Sequence, residues 1–246
     1  MRKTFAVLRR ELLAYFSSPL AYVVLTAFLF VNGYVFWLIL SYLNDPRTQA
    51  MAPLRLLFGG TIFFRLVLLF LVPVITMRLL AEERRSGTLE VLLTSPLSEG
   101  VVVAGKFLAA LVFFLFLWLP TLVFVLVLGS YSHIDPGPVL GGYLGIVLLG
   151  VLFSSIGLLT SALSRNQIVA AIFAFALLLV LFSVGLVENL ATAPALKGVL
   201  GYMNLWQQMD DFARGIVDTR HIVYQLSLSG LFLFLATKAL EASKGR

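Results

Sequence analysis

The chain of 246 residues is 60% hydrophobic and only 12% charged, with a net charge of +6, whereas soluble domains are near half apolar and about a quarter charged. Continuous apolar runs of about twenty residues recur along it, the length a helix needs to cross a hydrocarbon core about 30 Å thick, and their continuity excludes an alternating barrel pattern. There is no cysteine, so disulfides and thiolate metal sites are excluded without fixing a compartment, and the basic excess bears first on membrane topology rather than on nucleic acid.

Residues 3–18 open the chain as an amphipathic helix. Phe5, Leu8, Leu12 and Tyr15 recur at three- and four-residue spacing while Arg9, Arg10 and Glu11 occupy other faces, the pattern of a helix lying in the membrane interface. Ser17-Ser18-Pro19 punctuates it. No cleavable signal is expected, because the first apolar run is too long for a signal core and lacks a small-residue cleavage site. Six spans are predicted after it, at 20–41, 59–80, 101–129, 139–162, 167–187 and 221–240. The third is long enough to tilt, or to kink at Pro120, where a helix loses a hydrogen bond, and Pro73 could do the same in the second. The expected fold is thus an all-α polytopic membrane domain occupying residues 1–246. Its largest piece outside the spans, 188–220, reads as short capping helices, with Tyr202, Trp206, Met209, Ala213 and Ile216 on one stripe and Trp206 at the interface.

Orientation follows from the basic residues. With the N-terminus inside, the inner segments hold twelve of the eighteen lysines and arginines and the outer segments five, Arg65 lying within a span. The positive-inside rule then places both termini in the cytoplasm.

Few residues offer chemistry. Gly100-Val101-Val102-Val103-Ala104-Gly105-Lys106 matches the start of a phosphate-binding loop, but Phe107 stands where the magnesium-binding hydroxyl belongs and no strand precedes it. The stretch reads as a helix start with Lys106 at the interface, and the chain is not expected to bind ATP. His133 and His221 are too few for a metal site. Arg65 is a charge inside a span, which is costly and often functional. It lies about two turns from the outer edge, so it either snorkels to that edge or serves a polar cavity, with Glu188 as a candidate partner. Asn32, Gly33, Ser154, Ser155, Gly157, Thr160 and Ser161 either line a path through the membrane or allow close helix packing.

The densest charge lies in the link Ala81–Gly100, which reads AEERRSGTLEVLLTSPLSEG. Three readings compete: a solvated loop, an anionic-lipid contact through Arg84 and Arg85 that Glu82 and Glu83 would oppose, or a docking element. Ser86-Gly87 breaks one helix. Thr88–Leu93 forms a short second one, capped by Thr88 or Ser86 and ended by Ser95-Pro96. Its Leu89, Val91, Leu92 and Leu93 suit insertion into a partner's groove.

The segment MRLLAEERRSGTLEVLLTSPLSEGVVVAGKFLAAL resembles the cytoplasmic loop of the ABC type-2 permeases, and is closest to the gliding-motility permease branch (GldF). The stretches RRELLAYFSSPLAYVV and DDFARGIVDTRHIVYQLSLSGLFLFLATKALE extend the likeness to both ends of the chain. The resemblance implies six membrane helices, an interfacial N-terminal helix carrying Arg9, Arg10 and Glu11, short outer helices before the last span, and a bacterial inner-membrane location. It also implies a second permease copy or related chain and two separate ATPase subunits that hold the ATP and magnesium. The loop 81–98 would be the coupling helix in the ATPase groove, docking through Glu82, Glu83, Arg84, Arg85, Gly87, Thr88, Leu89, Glu90, Leu92 and Leu93. Arg65, Asn32, Ser154 and Thr160 are the candidates for the pathway. No catalytic residue, resident cofactor or metal is expected in this chain. Two roles remain open: an exporter, or a mechanotransmitter that drives a periplasmic or outer partner without moving cargo.

Overall fold

The computed structural model describes residues 2–43, 53–88, 98–131 and 134–244. The helices are α1 Arg2–Phe16, α2 Pro19–Leu43, α3 Ile62–Thr76, α4 Ala81–Arg85, α5 Glu99–Trp118, α6 Leu122–Tyr131, α7 Pro136–Leu163, α8 Gln167–Leu190, α9 Pro194–Met203, α10 Leu205–Ala213 and α11 Thr219–Lys244. Among the described residues, five stretches are long and apolar enough to cross a membrane: Pro19–Tyr42, Glu99–Tyr131, Pro136–Leu163, Gln167–Leu190 and Thr219–Ser243. The second of these comprises α5 and α6, continuous through one 3-10 helical turn at Leu119–Thr121, where Pro120 interrupts the α-helical ladder.

The predicted span 59–80 is shorter than expected. It is a regular α-helix over the fifteen residues Ile62–Thr76, a rise of about 22 Å. Local chemistry sets both ends. Thr61 is extended and its hydroxyl accepts the Phe64 N–H at 3.4 Å. Near the other end Pro73 has no N–H to donate back along the helix, and the chain turns through residues 77–80.

Helix α7 is the hub. It starts with Asp135 capping the Gly137 N–H at 3.0 Å and Pro136 at the first turn, a favoured N-terminal pattern. Of its apolar window 83% is buried, against 17–33% for the other four. Lipid tails are as apolar as leucine, so helix association here depends on close packing rather than on water exclusion. Glycines supply it: a Cβ at Gly150 would stand 2.6 Å from the Phe114 ring, and one at Gly145 would stand 2.6 Å from Met209 Sδ. The remaining spans present Phe30, Trp37, Ile168 and Ile172 outward, as lipid-facing helices do.

Two stripes read from the sequence are rotated or divided. In α1, Val7 is buried and Phe5 is exposed. The reason is the crossing with α5 at Gly105, where a Cβ would meet the Val7 side chain at 2.7 Å. Leu8, Leu12 and Tyr15 do pack on the core. In 188–220 the chain breaks at Asn204, whose side chain accepts from the Trp206 and Gln207 N–H groups at 3.0 and 3.3 Å. The result is two short helices, with Met209 and Ala213 buried while Tyr202 and Ile216 stay exposed.

Helix α1 and the last turns of α11 share one end of the bundle. Arg10 of α1 reaches Glu83 of α4, and Arg84 donates to Ser243 near the end of α11 at 2.8 Å. The opposite end carries α9, α10 and a short irregular helical segment, Pro53–Arg55 running into the π-helical Leu56–Gly60, tied together where Arg55 grips Asp210 at 2.5 and 3.0 Å.

Candidate functional site

The charged link starts from a held position. At Gly157 of α7 a Cβ would overlap the Thr76 hydroxyl, so α3 and α7 cross with no room between them. One turn further along α7, Ser161 is buried and its Oγ accepts the Leu80 and Ala81 N–H groups, each at 3.0 Å. The same hydroxyl donates to the Met77 carbonyl at 3.0 Å. Turn 77–81 thus gains the partners it lacks as the backbone leaves α3. Helix α4 then runs through AEERR, and Ser86 closes it by donating its N–H to the Glu82 carbonyl at 2.9 Å. Gly87, at φ +71°, takes the left-handed conformation that follows many helix ends. The break expected at Ser86-Gly87 is present.

Four charges close into a ring around this link. Lys106 of α5 is 1% exposed, and its Nζ lies 3.0 Å from both Glu11 and Glu83. Arg10 spans the same two carboxylates at 2.9 and 2.7 Å. Cation and carboxylate alternate around the ring, which joins α1, α4 and α5. A buried lysine without partners would be very costly, and two carboxylates supply the compensation. Burial opposes ionisation of Glu11, yet Lys106 and Arg10 together hold its carboxyl below the ordinary range. Burial likewise opposes the charge on Arg10, and the Glu11 and Glu83 carboxylates raise its pKa despite that.

Around the ring, Tyr15 donates its hydroxyl to the Ile75 carbonyl at 2.7 Å, and the Arg78 guanidinium lies 4.4 Å from the Tyr15 ring centre. Arg84 is turned toward α11 and sits below its usual pKa through partial burial and the nearby positive charge of Arg165. Arg9, Glu82 and Arg85 face outward. Among the residues read from the sequence for docking, the structure therefore brings Glu83 against Arg10 and Lys106 and leaves Glu82 and Arg85 exposed to solvent. Gly87 and Thr88 are placed beside them, with Thr88 Oγ1 2.8 Å from Ser86 Oγ. Leu89, Glu90, Leu92 and Leu93, like the expected second helix and His133, lie outside the described residues.

Lys106 and Ser161 acquire roles that the sequence reading did not give them. The stretch Gly100–Lys106 lies wholly in α5. Its Gly105 admits Val7, and its lysine is taken up by carboxylates instead of resting at the interface. The available signal was a lone lysine at the head of an apolar helix, which needs a partner. Of the residues considered for a path, Ser154, Ser155 and Thr160 are buried within the chain. Ser155 and Thr160 donate to carbonyls of their own helix, Leu152 at 2.6 Å and Gly157 at 3.0 Å. Asn32 likewise donates to Phe28 at 2.8 Å.

Arg65 lies at the other end. It lines a cleft of about 520 Å³ between α3, α8 and α10, together with Glu188, Asn204 and Asp210. Its guanidinium carbon is 4.7 Å from the centre of the Trp206 ring. No group of three or more His, Asp or Glu that could hold a metal ion occurs among the described residues.

Residues 20–224 match the family model described as ABC-2 family transporter protein. The match runs from the second residue of α2 into α11, leaving α1 outside it. No curated protein matches the chain.

Proposed function

The chain belongs to the ABC-2 family of transporter proteins, and from that premise we propose that it is the membrane subunit of an ATP-driven exporter whose energy arrives through the link 81–98. It is a multi-pass membrane protein. In this reading two separate ATPase subunits hold the ATP and magnesium, a second copy or a related permease completes the membrane part, and both termini face the cytoplasm of a bacterial inner membrane. Helix α3 completes a sixth crossing with the turns at its ends, helped by local thinning of the bilayer.

The observation that carries the proposal is the ring Arg10–Glu11–Lys106–Glu83. A partner can bias a conformational equilibrium only through contacts that differ between the two states. The exposed face of α4, with Glu82 and Arg85, is a surface such a partner can grip. Movement of α4 is passed to α1 and α5 through ion pairs and to α7 through Ser161. The link is thus a lever with short attachments to three other helices, charged to α1 and α5 and neutral to α7. Leu89 to Leu93 would fill the ATPase groove beside it.

The test is co-expression with candidate ATPase chains. Reversing the exposed pair, Glu82→Lys with Arg85→Glu, is expected to abolish ATPase association while the isolated subunit keeps its thermal stability. A wild-type chain that never retains an ATPase sinks the proposal. ATP-dependent flux in sealed vesicles supports export. Coupled hydrolysis without flux, together with a required outer partner, would support mechanotransmission instead.

A further inference from the structure

We infer that the cleft around Arg65 binds the anionic headgroup of a membrane phospholipid, whose hydrocarbon chain lies in the apolar groove between α2 and α3. Arg65 is the fourth residue of α3. Its contact with Trp206 satisfies no N–H, and its Nε is buried without an acceptor. A guanidinium carries five donors in a fixed fork that matches phosphate and carboxylate oxygens. The carboxylates of the cleft are already engaged. Asp210 is held by Arg55 and by Arg214 at 2.6 Å, and Glu188 accepts the Asn204 amide at 2.6 Å. No ion pair within 4.0 Å joins Arg65 to either. Arg65 therefore keeps donors that nothing in the cleft accepts, and the partner that fits them is an oxyanion.

The shape selects a lipid over a free anion. A space of about 520 Å³ suits a headgroup, and its α8 wall alternates apolar Leu179, Phe182 and Leu186 with polar Ser183, Glu188 and Asn189. Leu66 forms part of both this cleft and a second groove of about 320 Å³, lined by apolar side chains of α2 and α3 such as Val24, Phe28 and Phe70. One amphiphile can place its charge at Arg65 and its chain past Leu66. A soluble anion would leave the groove empty, and a cation would offer no acceptor to the unused Arg65 donors.

The test uses the full-length protein, purified in neutral detergent and titrated by native mass spectrometry, with no ATPase or nucleotide present. Its result is therefore separate from that of the docking proposal. The probes are phosphatidylglycerol, phosphatidylcholine and sn-glycerol 3-phosphate. Phosphatidylglycerol should bind at least about tenfold more tightly than either of the others. Arg65→Gln should remove that preference. Leu66→Trp, which leaves Arg65 intact and blocks the passage between cleft and groove, should weaken phosphatidylglycerol binding by a similar factor, and it carries the test if Arg65→Gln fails to fold. Equal binding of phosphatidylglycerol and phosphatidylcholine, or unchanged binding in both variants, would overturn the inference. Glycerol phosphate binding as tightly as the lipid would overturn it in favour of a soluble oxyanion.

Discussion

At the end that carries α1 and the last turns of α11, Arg10, Glu11, Glu83 and Lys106 close on one another, whereas at the opposite end Arg65 stands in a cleft with Glu188 and Asp210 and pairs with neither. The first arrangement costs desolvation of four groups and returns a fixed geometry between three helices. The second leaves a cation half-buried with donors unused. A closed ring transmits displacement because its members cannot separate cheaply. An open cation is suited to a ligand, because no internal bond has to be broken first.

The contrast is best broken by removing one cation from each end. Lys106→Met leaves the part-buried Glu11 and Glu83 carboxylates to Arg10 alone and should cost about 3 kcal/mol in detergent unfolding, the low end for a broken buried pair. Arg65→Met should cost less than about 1 kcal/mol, since no ion pair is lost; equal costs would abolish the distinction. Between these extremes, Ser161→Ala leaves two buried N–H groups without an acceptor and should destabilise by about 1–3 kcal/mol, read by faster hydrogen exchange at Leu80 and Ala81. Asp210→Asn weakens a partly exposed pair of contacts to Arg55 and Arg214 and should cost about 1 kcal/mol.

A pH titration sharpens the comparison further. Glu11 has a depressed pKa in the folded protein, so its contribution is present above the unfolded value, about 4.3, and is lost as pH falls through the folded value. Arg10 is raised, so its contribution persists throughout the range below its usual value. Acidification below about pH 4 should therefore loosen α1 first, seen as new proteolysis after Arg9 or Arg10. Glu11→Gln should be loosened already at neutral pH, with a smaller further change in acid.

Much of the fold was legible because the bilayer imposes its demands locally. Each long span needed only its own apolar residues, and Pro120 and Ser86-Gly87 act within a turn or two of themselves. The short α3 was not legible: its apolar pattern continues through Met77–Leu80, and the end of the helix is held by Ser161, far along the chain. The candidate site divided the same way. Glu82 to Arg85 announced a charged link, but nothing local showed that Glu83 turns inward and Arg85 outward. The Phe5 stripe of α1 misled because periodicity gives a face and not its rotation against a neighbour; Gly105 decided that.

The sequence by itself determined a helical membrane protein with a charged break between two apolar regions, because hydrocarbon thickness and backbone hydrogen bonding act on consecutive residues. Only the tertiary structure decided which charges are closed and which are open. Glu83 meets Arg10 across 73 positions, and Lys106 meets Glu11 across 95. A charge can announce from sequence that it needs a partner. Which partner it finds depends on how α1, α5 and α7 cross, and that is set by the glycines and small side chains at their contacts.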